Sequence, residues 1–249
     1  MDLSGNTTKV MYVRKAEREW QVSQYLEKYD PEGYYGVYAV ENFRVTSDMF
    51  RGESPRDRRT CNGLFNIRKN SDLEKLHAVS YPYYTYDLAR VIQDKKLSVD
   101  VVRYGLSHIW QCLQFMHSHY AVHGDIKSNN IAYRKQSQDF VFSDWGWGGI
   151  VNSPESILEQ YQRYGKIRKG SLAAWYPKEI KTFHATTTKD MFKIIKYVDV
   201  YGLMRITVQV AKAFRLRELN SLLHFQTKLN FRTYKTTTQL TEFMVRLFE

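Results

Sequence analysis

Residues 99–146 constrain the fold more than any other part of this chain. Val102, Leu106, Ile109, Trp110, Leu113 and Met116 recur at helical spacing, so residues 99–119 are predicted to form an amphipathic helix with one buried face. The helix runs straight into a polar loop, Val-His-Gly-Asp-Ile-Lys-Ser-Asn-Asn at residues 122–130. A short apolar run, Phe140-Val141-Phe142, reads as a buried strand, and Asp144-Trp145-Gly146 follows it. A buried helix on one side and a buried strand on the other leave the loop little freedom.

The flanking segments extend this reading. Residues 9–15 alternate as a strand does, and residues 16–28 are helix-like, with Trp20, Tyr25 and Leu26 as apolar positions. Asp30-Pro31-Glu32-Gly33 signals a turn. Tyr34–Val45 is aromatic and β-branched and is predicted as strand, residues 46–62 as an exposed loop, and Leu73–Tyr81 as another strand. Residues 147–178 look irregular, whereas Asp199 to Phe214 is apolar on most faces, as a central buried helix is. Strands with one helix come first and helices follow, which predicts an α+β chain in two parts, 1–82 and 83–249.

Composition narrows the class. Apolar residues make up 43% of the chain and aromatics 15%, enough for a sizeable core and unlike a disordered segment. No apolar run approaches the roughly 20 residues needed to span a bilayer, so no membrane insertion is expected. The N-terminus carries no secretory pattern, and Cys61 and Cys112 give neither a disulfide framework nor a zinc spacing. An intracellular chain is expected. Cys112, His117, His119 and His123 read as helix and loop scaffold rather than metal ligands. The net charge of +11 fits acidic proteins, nucleotides, nucleic acid or anionic membrane. Arg51, Arg56, Arg58 and Arg59 form one basic cluster, and Arg163, Lys166, Arg168 and Lys169 another.

The loop and the turn after it resemble the catalytic loop and metal-binding turn of the protein kinases, H-R-D-x-x-x-x-N followed by D-F-G. Here Asp125, Lys127 and Asn130 stand in register, and Asp144 and Gly146 follow. Gly170, Ser171 and Pro177 are similar to the kinase segment G-T-x-x-Y-x-A-P-E, although Lys178 takes the place of its Glu and Glu179 falls one residue late. Asp199-Val200-Tyr201-Gly202-Leu203 resembles the D-V-W-S-L of the central kinase helix. The His-Gly-Asp-Ile-Lys wording is similar to the vaccinia-related and casein kinase 1 groups, and truncated viral kinase homologues share such features. The resemblance covers roughly residues 99–203.

It implies a protein-kinase-like bilobal fold with a reduced, β-rich first lobe and a mainly helical second lobe. The catalytic loop would be residues 122–130 and the activation segment 144–179. Phosphoryl transfer needs positioning and charge neutralisation more than covalent chemistry. Asp125 would accept or orient the proton of a substrate hydroxyl, and Lys127 would neutralise the moving phosphoryl group. Asn130 and Asp144 would hold Mg2+ beside ATP, and Gly146 would let the backbone turn. Asp199 would accept hydrogen bonds from the catalytic-loop backbone. Ser171, Arg168 and Lys169 would meet a protein substrate, an acidic one given the basic cluster. Lys127 and Ser171 resemble the serine/threonine class. Gly124 stands where the family has Arg, so activation-loop phosphorylation is not expected to be required.

The first lobe departs from the family pattern. Only Gly5 precedes Gly33, so the glycine-rich phosphate loop is absent. The nucleotide-binding lysine is assigned to Lys15 and its helix partner to Glu19, with Lys9, Arg14 and Glu17 as alternatives. Lys15 and Glu19 equally fit an ordinary i,i+4 surface pair. Tyr81, Tyr83, Tyr84 and Tyr86 fall at the hinge, and Trp145 holds the usual Phe position as a packing residue. Four functions compete. They are an ATP- and Mg2+-dependent serine/threonine kinase, a pseudokinase binding module, a small-molecule kinase sharing H-G-D-x-x-x-x-N, and a basic nucleic-acid-binding protein supported by charge alone.

Overall fold

A computed structural model of the chain describes residues 6–46, 70–84, 86–166 and 184–216, together with Thr241 and Met244. Its first part is an antiparallel sheet of β1 (Asn6–Tyr12), β2 (Glu41–Arg44) and β3 (Leu76–Pro82), with β3 in the centre. Val79 of β3 sits between Lys9 of β1 and Asn42 of β2. Helix α1 (Val13–Glu27) starts directly after β1, with Tyr12 still extended at its N-cap. Ala16, Val22 and Leu26 form its buried apolar stripe.

The second part begins with β4 (Tyr86–Asp87), α2 (Leu88–Asp94) and α3 (Val99–Ser118). Ser98 caps α3 by accepting from the Val101 amide at 3.3 Å. All six apolar positions expected on α3 are buried. Burying each such side chain stabilises the fold by roughly 1.5–3 kcal/mol, which makes α3 the main anchor of the core. The chain continues through β5 (Ala121–Val122), a 3-10 turn (Ser128–Asn130), β6 (Ile131–Arg134), β7 (Asp139–Phe142) and β8 (Gly149–Ile150). Helices α4 (Pro154–Lys166) and α5 (Thr188–Phe214) follow. Strands β4, β6 and β7 form one small antiparallel sheet, and β5 pairs with β8. Helix α5 packs on α3, where the Trp110 indole donates to Thr207 Oγ1 at 3.1 Å. Thr187 caps α5 by accepting from the Asp190 amide.

A seam joins the two parts. The Val37 amide donates to the Phe142 carbonyl at 2.9 Å, and the Trp145 indole donates to the Val37 carbonyl at 2.8 Å. Asp30 shapes the approach by accepting from the Tyr34 and Tyr35 amides and the Tyr38 hydroxyl.

The mixed α/β order agrees with expectation and is compatible with a kinase-like fold, but several boundaries move. The first strand ends at Tyr12, not residue 15, so Lys15 lies on a helix. Of the strand expected over Tyr34–Val45, only Glu41–Arg44 forms; Asp30 takes the Tyr34 and Tyr35 amides and the seam takes Val37. Residues 70–75 are a 3-10 turn, so β3 starts at Leu76 rather than Leu73. The span 147–178, expected to be irregular, contains α4, whose Ile157, Gln160 and Tyr164 are buried on one helical face. Helix α5 begins at Thr188, eleven residues before the expected start. The loop expected over 46–62 lies outside the described residues beyond Thr46. Among the described residues no helix is long and apolar enough to cross a membrane.

Candidate active site

The loop 122–130 is held from beneath by Asp199 on α5. Its carboxylate accepts from the His123 and Gly124 amides, each at 2.8 Å, as the sequence led one to expect. His117 on α3 meets the same carboxylate at 3.3 Å. Burial pushes Asp199 up to about 6 despite these donors. His123 is fixed on both ring nitrogens: Nε2 meets the Ser143 carbonyl at 2.9 Å, and Nδ1 accepts from the Asp125 amide at 3.3 Å. It is therefore scaffold, as expected.

Gly124 explains its own presence. Its φ is +74°, and an added Cβ would lie 2.5 Å from both Gln160 Nε2 and the Trp147 carbonyl. An Arg has no room there.

Asp125 is buried. Its Oδ2 accepts from Lys127 Nζ at 2.9 Å, and Arg163 stands 3.6 Å from Oδ1. Burial opposes its charge, but the Lys127 hydrogen bond and the Lys127 and Arg163 charges outweigh burial and hold the carboxyl below its ordinary range. At neutral pH it is an anion that accepts hydrogen bonds. Asn130 donates to the Asp125 carbonyl at 2.9 Å, which leaves its own side-chain oxygen as the atom for a cation.

Asp144 has a left-handed backbone, φ +63°. Its Oδ1 lies 2.7 Å from Lys9 Nζ and 3.6 Å from Lys15 Nζ. Burial works against the charge, yet the two lysines bring the carboxyl down to about 2. Glu19, fully buried on α1, receives Lys9 on both carboxylate oxygens at 3.2 Å. Burial would lower the Lys9 ammonium, but Glu19 and Asp144 outweigh it and raise it.

Glu19 thus occupies its expected place, but the strand lysine facing it is Lys9. Lys15 comes from the first turn of α1 and reaches Asp144 instead. Gly146 permits this, since a Cβ there would fall 2.2 Å from Lys15 Cε. The glycine supplies space; the sharp backbone turn belongs to Asp144.

Lys9, Glu19, Tyr81, Tyr84, Asn130 and Asp144 line one cavity of about 150 Å³. Asp125 is tied to it through Asn130. Mg2+ binds through one or two carboxylates plus phosphate oxygens, and Asn130 with Asp144 matches that donor set. Among the described residues no three His, Cys, Asp or Glu side chains converge on a metal-sized site. Cys112 is a buried free thiol. Ser171, Arg168 and Lys169 lie outside the described residues, as do Gly170, Pro177, Lys178 and Glu179.

Helix α4 brings to the site Gln160, which the sequence did not single out, and Arg163, which it gave only as part of a basic cluster facing the substrate. Gln160 donates to the Gly124 carbonyl at 2.7 Å, and the Arg163 guanidinium lies 3.7 Å from the Trp147 ring centroid. Pro154 at the first helical position was the legible signal.

No protein-family model matches the chain. It is 31% identical over 104 residues to extracellular signal-regulated kinase 1 of two strains of Candida albicans, WO-1 and SC5314 / ATCC MYA-2876; the match covers 41% of this chain and 23% of the relative. It is 30% identical over 109 residues to serine/threonine-protein kinase 1 of Lymantria dispar multicapsid nuclear polyhedrosis virus, covering 41% of this chain and 39% of the relative. The chain therefore spans well under half the length of these curated relatives. This partial similarity supports the protein kinase superfamily and a kinase-type function.

Proposed function

We propose that the chain is an ATP- and Mg2+-dependent kinase that transfers the γ-phosphoryl group to a serine or threonine hydroxyl of a protein. One observation carries the reading. Asp125, Lys127 and Asn130 on one loop stand beside Asp144, and Asp144 contacts Lys9, which the buried Glu19 holds, at the wall of a shared cavity. Asp125 orients the substrate hydroxyl and receives its proton. Its low pKa makes it a weak base, so orientation is the larger part of its work. Lys127 offsets charge on the transferred group, and Lys9, held by Glu19, offers its ammonium to nucleotide phosphates. Asn130 and Asp144 would hold Mg2+, which would supply neutralisation of phosphate charge. The viral relative is in keeping with the viral kinase resemblance.

The second reading is a pseudokinase that binds partners without transferring phosphate. The cavity favours it: about 150 Å³ is below the roughly 300 Å³ at which small-ligand sites begin, and Lys9 contacts the metal-binding Asp144 directly.

Titrating ATP with and without Mg2+, then comparing phosphotransfer by the wild type and Asp125→Ala, separates the two. The kinase reading expects Mg2+-dependent binding and a loss of at least 100-fold in turnover in the variant, as for loss of a positioned acid–base group. Mg2+-dependent binding with no transfer to a broad set of serine and threonine substrates would leave the pseudokinase. Equal turnover by both proteins removes Asp125 from the mechanism.

A further inference from the structure

The Lys9–Glu19 pair is only as well placed as α1, and α1 has an anchor outside the nucleotide cavity. Arg18, the residue before Glu19, is 8% exposed and forms an ion pair with Glu159 on α4. Arg14, one turn earlier and largely exposed, reaches the same Oε2 at 2.9 Å. These partners lie 141 residues apart in the chain for Arg18 and Glu159. The next residues of α4 hold the catalytic loop: Gln160 donates to the Gly124 carbonyl, and Arg163 faces Asp125. One short helix therefore grips α1 through Glu159 and the loop of Asp125 through Gln160 and Arg163.

We propose that Glu159 is a positioning residue for phosphoryl transfer, a fixed carboxylate that keeps α1 docked and Lys9 aligned with Asp144. The proposal rests on the kinase reading for its role in turnover. The latch itself is a property of the apoprotein. Desolvation decides which arm matters. Arg18 is buried against Glu159, so removing Glu159 strands the Arg18 charge, whereas Arg14 is solvated and contributes little. The carboxylate belongs to the chain, so this docking needs no added phosphate.

The test uses the full chain and Glu159→Gln, which keeps shape and loses charge, with Glu159→Asp as the conservative variant and Arg18→Ala as the partner. Amine-reactive labelling of Lys9 at pH 8 is read against Lys96, which is exposed and remote. The latch predicts a several-fold faster labelling of Lys9 in Glu159→Gln and Arg18→Ala, no further increase in the double variant, partial return in Glu159→Asp, and an unchanged Lys96. It also predicts a rise of roughly tenfold in KM for Mg2+–ATP, the scale of one lost charge-assisted contact. Unchanged Lys9 labelling in the folded variants overturns the latch. Altered labelling in a protein whose wild type neither binds nor hydrolyses ATP keeps the latch and rejects the kinase reading.

Discussion

At the residue scale the site is governed by which charges burial leaves unpaid and which it pairs. Asp199 is fully buried and Asp144 is half-buried, and the two move in opposite directions. Two lysines bring Asp144 down to about 2, whereas Asp199 meets backbone amides and burial takes it to about 6. The folded chain holds the Asp199 proton up to about 6, and the unfolded chain releases it near 3.9. The group's contribution is therefore fully present below about pH 4 and lost as pH rises through about 6, a change on the order of 2–3 kcal/mol. Asp144 does the reverse, contributing on the order of 2 kcal/mol above about pH 4 that is lost as pH falls toward 2. Asp199→Asn is expected to be destabilised throughout, since its amide nitrogen faces a backbone N–H. Urea midpoints from pH 4 to 8 should show the wild type losing stability relative to the variant as pH rises. Parallel curves contradict the assignment.

At the element scale α3 and β7 set the geometry of the loop between them. Gly105 of α3 faces Phe140 of β7, and an added Cβ would lie 2.3 Å from the ring. Replacing a helix-interior Gly by Ala gains about 1 kcal/mol in propensity, while overpacking a core costs about 1–3 kcal/mol. The contact is with a rigid ring in a filled core, so the cost wins, and Gly105→Ala should lower the urea-unfolding free energy by about 1 kcal/mol. A stabilised variant would mean that α3 and β7 are packed more loosely than described. This helix and strand were legible in sequence because their apolar periodicity is local. Helix α4 was not, because Gly148 and Gly149 precede it, Gly165 lies in its last turn, and Glu159, Gln160 and Arg163 meet partners distant in the chain. Tyr34–Val40 misled for the complementary reason: its strand-like composition is used to fill the seam.

At the whole-molecule scale the net charge of +11 acts on association rather than fold. Arg163 beside Asp125 and the basic residues after it motivate a preference for acidic protein substrates. A peptide panel should show lower KM for acidic neighbours of the acceptor hydroxyl, and the advantage should shrink between 50 and 300 mM salt, where the screening length falls from about 14 to 6 Å. A panel without acidic bias removes the preference. Strongly salt-dependent binding to DNA or RNA, with no kinase activity, would instead favour the nucleic-acid reading.

Local order predicted the helix, loop and strand that carry Asp125, Lys127, Asn130 and Asp144, and the resemblance to the kinase catalytic loop and metal-binding turn gathered the four in one site. The resemblance of Asp199-Val200-Tyr201-Gly202-Leu203 to the central kinase helix also named Asp199 as the residue beneath the loop. Local order did not single out the lysine that meets Glu19, since Lys9, Arg14 and Lys15 are chemically alike and adjacent. That choice depends on where β1 ends and α1 begins, which the pairing of β1 with β3 and the burial of Ala16, Val22 and Leu26 decide. Nor did local order reveal the Arg18–Glu159 bridge. Its partners are brought together by the docking of two helices, and nothing in the spacing of either segment encodes the other.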